Sequence, residues 1–572
     1  MSAEVRRMRI GDFLLRRLSE IGTTHVFGVP GDYNMSFLDQ LQEHPEIKWV
    51  GTCNELNAAY AADGHARSGK PGVLLTTYGV GCLSAINGIA GAYCEHVPLI
   101  HVSGSPPAHA VHDRVPLHHS LLDGGYRNIH RAFTEFTEYA ATISPANAVE
   151  VIDHALAAAF RSRRPVRLEL PSDLTHVEVA VPEAIINIGD PPSISTQLGD
   201  AAEALAQKLL RSRRPLLLFD LPAARWNAVG TIQQFCAALD IPFGCTVPAV
   251  HQLGRPSTQF LGILPSVDVE RQAIYDAADL VITCGLTISD VTTGGFVLDL
   301  AGREIAKLSP SHTQLEVDGR PDPAVYYGAG LVDVLAATLS KVSAAFGERN
   351  RWWRKPTQPG SVERPLRDDD AISEQYFFSR LQSFVRADDV LIAETGTSGQ
   401  NTVGLDLPVP LRYINQSSWG SIGYALPALL GACAASPERR HILCTGDGSF
   451  QVTVQELSTI IRCGFAPVVF LLNNRGYTIE RAILGRHSDY NDVVNWTYVD
   501  VPRVFGIDED NYLSRVCETR SGLESALRDA ADAKSLAFIE VQLEALDMPP
   551  ATAAVGDFTR RFDYGEYGPA NK

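Results

Sequence analysis

Several features that would place a chain at once are missing from this one. There is no surplus of basic charge: 49 Lys and Arg stand against 66 Asp and Glu, for a formal net charge of −17. A nucleic-acid surface needs a basic patch, so the balance argues against that class of partner, and the acidity serves solubility. No apolar run approaches the roughly 20 residues of a membrane span. The segment Met1 to Leu15 carries arginines but no apolar core of signal-peptide length. These absences predict a cytoplasmic protein with no membrane partner. Ten cysteines occur without a single Cys-x-x-Cys pair, which argues against a disulfide scaffold and a zinc site and leaves core thiols. No Gly-x-Gly-x-x-Gly follows a first strand and opens a helix, which speaks against a dinucleotide-binding oxidoreductase. No short repeat is evident.

What is present is alternation. Strands are expected at Thr24 to Val29, Trp49 to Thr52, Val73 to Thr77 and Leu99 to Ser103, between helices around Phe13 to Ile21, Leu56 to Arg67 and Leu83 to Tyr93. That rhythm predicts a parallel sheet covered on both faces. A second block has strands at Pro215 to Phe219, Pro242 to Thr246 and Leu280 to Cys284, with no dense cluster of catalytic side chains. A polar, proline-bearing linker is expected at Ile185 to Asp200 and another at about Gly347 to Asp370. The fold class is α/β with three doubly wound parallel-sheet domains, at residues 1–185, 200–345 and 370–548, followed by a tail at 549–572. The first and third blocks are candidates for a shared fold.

The third block holds the strongest motif. Gly446-Asp447-Gly448-Ser449 follows the short apolar strand His441 to Cys444, and Asn473-Asn474 ends the strand Ala466 to Leu472. Thr453 and Glu456 are expected to form a capping box on the helix between them. Ligands collect beyond the carboxyl ends of parallel strands, where Asp447 and Asn474 would sit. A carboxylate and a neutral amide oxygen suit Mg²⁺ shared with phosphate oxygens, and glycines let the backbone approach the phosphates.

With that spacing the chain resembles the thiamine diphosphate (ThDP) dependent enzymes. The resemblance implies that Asp447, the Asn474 side chain and the Gly476 carbonyl hold Mg²⁺, with Gly446, Gly448, Ser449, Thr397 and Thr478 near the diphosphate. Cys53-Asn54-Glu55-Leu56-Asn57-Ala58 resembles the segment that binds the cofactor's pyrimidine, which makes Glu55 its activator. In Trp419-Gly420-Ser421-Ile422-Gly423, the likeness makes Ile422 the apolar wedge under the bent cofactor and the Gly420 carbonyl an acceptor for its amino group. Taken alone, Ile422 reads as a core position on a helix continuing through Leu426 and Leu430.

Two segments resemble the pyruvate and indolepyruvate decarboxylase branch: Phe27 to Asn34, which carries Asp32, and Leu117 to Gly124, which carries His118 and His119. Glu480, in Gly476 to Arg481, matches that branch as well. The resemblance implies decarboxylation of a 2-oxo acid on the ThDP ylide, leaving an enamine whose protonation releases an aldehyde. Asp32, His118, His119 and Glu480 would supply the protons, and Ile479 and Phe296 would form the apolar wall. Gly399, where pyruvate enzymes often carry a bulkier side chain, implies a roomier pocket for aromatic or branched and long-chain substrates. The loop Leu121 to Tyr126 departs from the branch's usual acidic run. Alternatives are pyruvate decarboxylation proper, an acetohydroxyacid synthase-like carboligase, and a silent ThDP-binding protein. The family binds ThDP between two subunits, which implies at least a homodimer and commonly a tetramer.

Overall fold

The computed structural model describes residues 6–189, 194–266, 268–316, 322–346, 351–356 and 370–570. Two short strands, β1 (Arg7–Arg9) and β8 (Glu178–Ala180), pair as an antiparallel ribbon at the edge of the first unit. Its main sheet contains β2 (His25–Gly28), β3 (Lys48–Gly51), β4 (Gly72–Thr76), β5 (Leu99–Ser105), β6 (Tyr139–Thr142) and β7 (Val166–Pro171). The order is β3-β2-β4-β5-β7-β6, and every pairing is parallel.

The middle sheet contains β9 (Pro215–Phe219), β10 (Phe243–Cys245), β11 (Phe260–Ile263), β12 (Leu280–Cys284), β13 (Glu304–Leu308), β14 (His312–Leu315) and β15 (Ala324–Tyr327). Its order is β11-β10-β9-β12-β13-β14-β15. It is mixed rather than wholly parallel, because β13 to β14 and β14 to β15 run antiparallel. The few residues from Leu308 to His312 can close only an antiparallel pair, since a parallel return needs a crossover of a dozen or more residues.

The third sheet contains β16 (Val390–Ala393), β17 (Arg412–Ile414), β18 (His441–Gly446), β19 (Val468–Asn473), β20 (Leu513–Cys517) and β21 (Ala537–Gln542). Its order, β17-β16-β18-β19-β21-β20, repeats that of the first sheet strand for strand, again all parallel. The central strands are buried along their length, as parallel strands flanked by helices must be.

The first and third units share one core. Helix Glu55–Arg67 crosses helix Ala425–Ala435 so closely that a Cβ on Gly64 would lie 2.2 Å from the Ala428 carbonyl oxygen. A Cβ on Gly431 would lie 1.8 Å from the Ala61 carbonyl oxygen, so both crossing points require glycine. Leu426, Leu429 and Leu430 are buried in this join, each contributing roughly 1.5–3 kcal/mol.

Four expectations are corrected. The stretch 185–200 is not all linker: helix Ser195–Arg211 starts inside it, while Pro191 and Pro192 lie outside the described residues. Of the second linker, 347–350 and 357–369 lie outside the described residues, and Trp353 is buried in the middle unit's core. The tail forms a helix, Pro550–Tyr564, because Phe558 and Phe562 give it an apolar face. Thr453 and Glu456 form no capping box. The helix starts directly after β18, at Asp447, and ends at Thr453, whose hydroxyl donates to the Gly423 carbonyl at 2.8 Å.

Candidate active site

The expected site residues collect beyond the carboxyl ends of strands in the first and third sheets, the usual ligand position in such folds. In the third unit they border one cavity of about 290 Å³, lined by Thr395 to Ser398, Ile422, Gly446 to Ser449, Asn474 and Gly476 to Glu480. Asp447 is the first residue of the helix after β18 and is 1% exposed. Its Oδ1 accepts the Gly448 N–H at 2.7 Å and its Oδ2 the Gly476 N–H at 3.1 Å. Burial pushes this carboxyl up to about 6, against the opposing pull of those N–H groups and of the Arg481 charge.

The two asparagines at the end of β19 have different roles. Asn473 Nδ2 donates to Glu540 Oε1 at 2.7 Å and to Asn495 Oδ1 at 2.8 Å, so it ties strands and loops together. Asn474 Oδ1 is buried and has no hydrogen-bond partner. Buried acceptors are nearly always satisfied, so an orphan beside a buried carboxylate fits a ligand for a cation. Gly446 fits a cradle: a Cβ there would meet nothing within 4 Å. Gly448 is needed for a different reason, because a Cβ would come 2.4 Å from the Tyr477 ring.

Around this centre, Ser449 and Thr397 line the cavity. The Thr478 hydroxyl does not face it freely, since it donates to the Ala545 carbonyl at 3.0 Å. Gly420 has a left-handed φ of 66° and lies in the loop after β17. Ile422 is 40% exposed, lines the cavity and precedes helix Ala425–Ala435 rather than lying on it. Ile479 and Glu480 also line the cavity.

In the first unit, Asn54 caps helix Glu55–Arg67 by accepting the Asn57 N–H at 2.8 Å, and this sets Glu55 at the first helical position. Gly81 leaves the space that Glu55 occupies, because a Cβ there would lie 2.9 Å from Glu55 Oε1. Asp32 follows β2, and His118 and His119 belong to the loop beyond β5. His118 Nε2 lies 2.7 Å from Asp32 Oδ2, and His119 Nε2 lies 3.9 Å from Asp32 Oδ1. Thus the structure brings Asp32, His118 and His119 together, but no residue of this group lines the cavity of the same chain.

Two of the expected pocket residues, like Glu55 and the Asp32 group, are not among the residues that line this cavity in the single chain. Gly399 is buried on helix Thr397–Val403, and a Cβ at this position would point toward Asn415, 2.8 Å from its Nδ2, and the Glu394 carbonyl, 2.9 Å from its oxygen. Phe296 stands apart from the cavity lining, 51% exposed, with its ring 5.2 Å from that of Phe562 on the terminal helix. Aromatic pairing with that helix, which the sequence reading left unassigned, accounts for it.

Other residues of the site were not expected from the sequence. Thr395, Ser398 and Tyr477 line the cavity, and their proximity in sequence to Thr397 and Thr478 was the available signal. Glu394 is a buried strut: its carboxyl accepts the N–H groups of Thr395 at 2.9 Å and Ala425 at 3.2 Å, and burial pushes it up to about 7. It fixes the loop after β16 to the start of helix Ala425–Ala435.

Comparison with known proteins identifies the family. Residues 8–128 match the family described as thiamine pyrophosphate enzyme, N-terminal TPP binding domain. Residues 202–337 match its central domain and residues 396–541 its C-terminal TPP binding domain. The chain is 36% identical over 555 residues to an alpha-keto-acid decarboxylase of Mycobacterium ulcerans (strain Agy99), covering 95% of this chain and 94% of that protein. An alpha-keto-acid decarboxylase of Mycobacterium leprae (strain TN) is 35% identical over 561 residues, covering 96% of this chain and 95% of its own.

Proposed function

The chain belongs to the ThDP-dependent 2-oxo acid decarboxylases, and from that premise we propose that it converts an aromatic or a branched or long-chain 2-oxo acid to its aldehyde and CO2 without net oxidation. The buried Asp447 carboxylate and the unpartnered Asn474 Oδ1, both lining one cavity, support the metal and diphosphate part of this reading most directly. Asp447, Asn474 and the Gly476 carbonyl would hold Mg²⁺, hard oxygen ligands for a hard cation. Gly446 lets the diphosphate approach the backbone, with Ser449 and Thr397 as hydroxyl donors. Because the Thr478 hydroxyl already serves Ala545, Thr478 would contribute its N–H, one of the free donors of a helix's first turn.

The chemistry that ThDP supplies when bound is a thiazolium carbon that adds to the keto group and accepts the electron pair left by CO2. Glu55 would hydrogen-bond the pyrimidine nitrogen and so make the cofactor's own amino group a base. Ile422 would support the bend between the cofactor's rings, and the Gly420 carbonyl would accept from its amino group. Asp32, His118, His119 and Glu480 would deliver the proton that replaces CO2. The Asp32 to His118 contact of 2.7 Å supports a shared, transferable proton at His118 Nε2. Ile479 would exclude water and give an apolar wall.

On the same reading the protein works in the cytosol as at least a homodimer, with a tetramer built from two such pairs. The cavity of one chain would be completed by Glu55, Asp32, His118 and His119 of a second. Exposed apolar side chains on both halves favour this: Val80 (52%) and Leu83 (51%) near Glu55, and Val452 (43%) beyond the Asp447 helix start.

A panel of pyruvate, branched 2-oxo acids, phenylpyruvate and indolepyruvate, with CO2 and aldehyde both measured, tests the reading. Aldehyde in step with CO2, greatest from the larger acids, is expected. An acyloin or acetohydroxy acid as main product would overturn it.

A further inference from the structure

We propose that Asp32, His118 and His119 form a second metal site, one that takes a nitrogen-seeking divalent ion such as Zn²⁺ and switches the protein off. Their ligand atoms all lie within 4.8 Å of one another. Two imidazole nitrogens and one carboxylate oxygen are a donor set for zinc and its neighbours, whose bonds to nitrogen are about 2.0–2.1 Å, so modest side-chain rotations close the site. Mg²⁺ prefers oxygen and keeps its water, so it would remain with Asp447 and Asn474.

The triad is held in a way that favours ligation. Tyr33 stacks on His118 with ring centroids 5.1 Å apart and planes 15° from parallel. The Tyr33 hydroxyl lies 3.5 Å from His118 Nδ1, so that nitrogen has an outer partner while Nε2 faces Asp32. His119 has a left-handed φ of 63°, an uncommon conformation for a residue with a side chain. Its carbonyl packs on Gly79, where a Cβ would lie only 2.0 Å away, so this close approach requires glycine at 79. In the single chain the side chains of Asp32 and His118 are 45% and 60% exposed.

Ligation displaces the proton shared by His118 Nε2 and Asp32 Oδ2 to solvent, and no electrons are transferred. The inhibition, unlike the binding, rests on the function proposed above, in which these three groups donate the product's proton. Occupied by a metal, they cannot.

The test uses the full-length protein saturated with Mg²⁺ and ThDP and titrated with Co²⁺ as a visible probe. One equivalent per chain should produce the intense absorption of low-coordinate, nitrogen-bound Co²⁺. The variant His118→Ala with His119→Ala should lose it, Asp447→Ala should keep it, and Tyr33→Phe should weaken Co²⁺ binding by about 10-fold. Zn²⁺ should abolish turnover, and a zinc-selective chelator with Mg²⁺ in excess should restore it. Absence of the absorption, or its survival in the double variant, overturns the site. Binding without loss of turnover overturns the switch. A protein that binds Co²⁺ here yet turns over no 2-oxo acid when metal-free would keep the site and sink the functional reading instead.

Discussion

Asn57 Nδ2 donates to Glu456 Oε2 at 2.8 Å, a bond between the first and third units across 399 residues of chain. Both residues are fully buried, so the carboxylate depends on protein donors: this one, the Cys53 N–H at 3.2 Å and the Thr459 side chain. Asn57→Ala is expected to cost about 1–3 kcal/mol, the penalty for leaving a buried acceptor short of a donor. Denaturant unfolding of the single variant and of Asn57→Ala with Glu456→Gln checks this. The double variant should lose less than the sum, because a neutral amide tolerates burial better.

Glu55→Gln should leave the protein folded and able to retain Mg²⁺ and ThDP while turnover falls by at least about 100-fold, the scale of general-base assistance. Exchange of the thiazolium proton, followed by NMR in deuterated buffer, should slow in parallel. Near-normal turnover would remove Glu55 from the mechanism.

Cofactor retention should depend on pH through Asp447. Its folded carboxyl is raised to about 6 from an ordinary value of 3.8. Between those values the native, metal-free protein holds a proton that the unfolded chain has lost, so stability without metal declines as pH rises across that window. Mg²⁺ needs the ionised form, so its stabilisation runs the opposite way and should grow as pH rises through about 6. Thermal midpoints with and without Mg²⁺ and ThDP, at mildly acidic and neutral pH, should show the larger gain at neutral pH. Asp447→Ala should remove the gain at both.

His119→Ala should lower kcat by roughly 10²–10⁴-fold, as expected for loss of a positioned proton donor, with little change in ThDP affinity. An equal loss of cofactor binding would mark His119 as a structural residue.

Gly399→Ala should destabilise the protein without changing which 2-oxo acid is preferred, because its Cβ would press on Asn415 and the Glu394 carbonyl rather than on the cavity. Ile479→Ala, in the cavity lining, should shift the preference. The substrate panel run on both variants separates the two positions.

The strands were the most legible part of the fold. Pro215–Phe219 and Leu280–Cys284 match expectation to the residue, since parallel strands covered on both faces are apolar throughout. The recurrence of one strand order in the first and third units could be suspected but not read, because order depends on long-range pairing. Asn473 and Asn474 are identical in type, and only the fold shows that Glu540 and Asn495 engage the first and leave the second without a partner. Gly399 shows the same limit: a sequence reports a missing side chain but not the direction in which one would point. Asp32 and His118 are 86 residues apart, and without the family likeness nothing local connects them.

Among the described residues, the cavity beside Asp447 and Asn474 takes its lining from 395–480, none of it from the half of the chain that bears Glu55. If a second molecule completes it, catalytic competence is a property of pairs and follows the law of mass action. Specific activity should then fall on dilution, and added ThDP and Mg²⁺, by binding only the assembled pair, should draw dissociated chains back together.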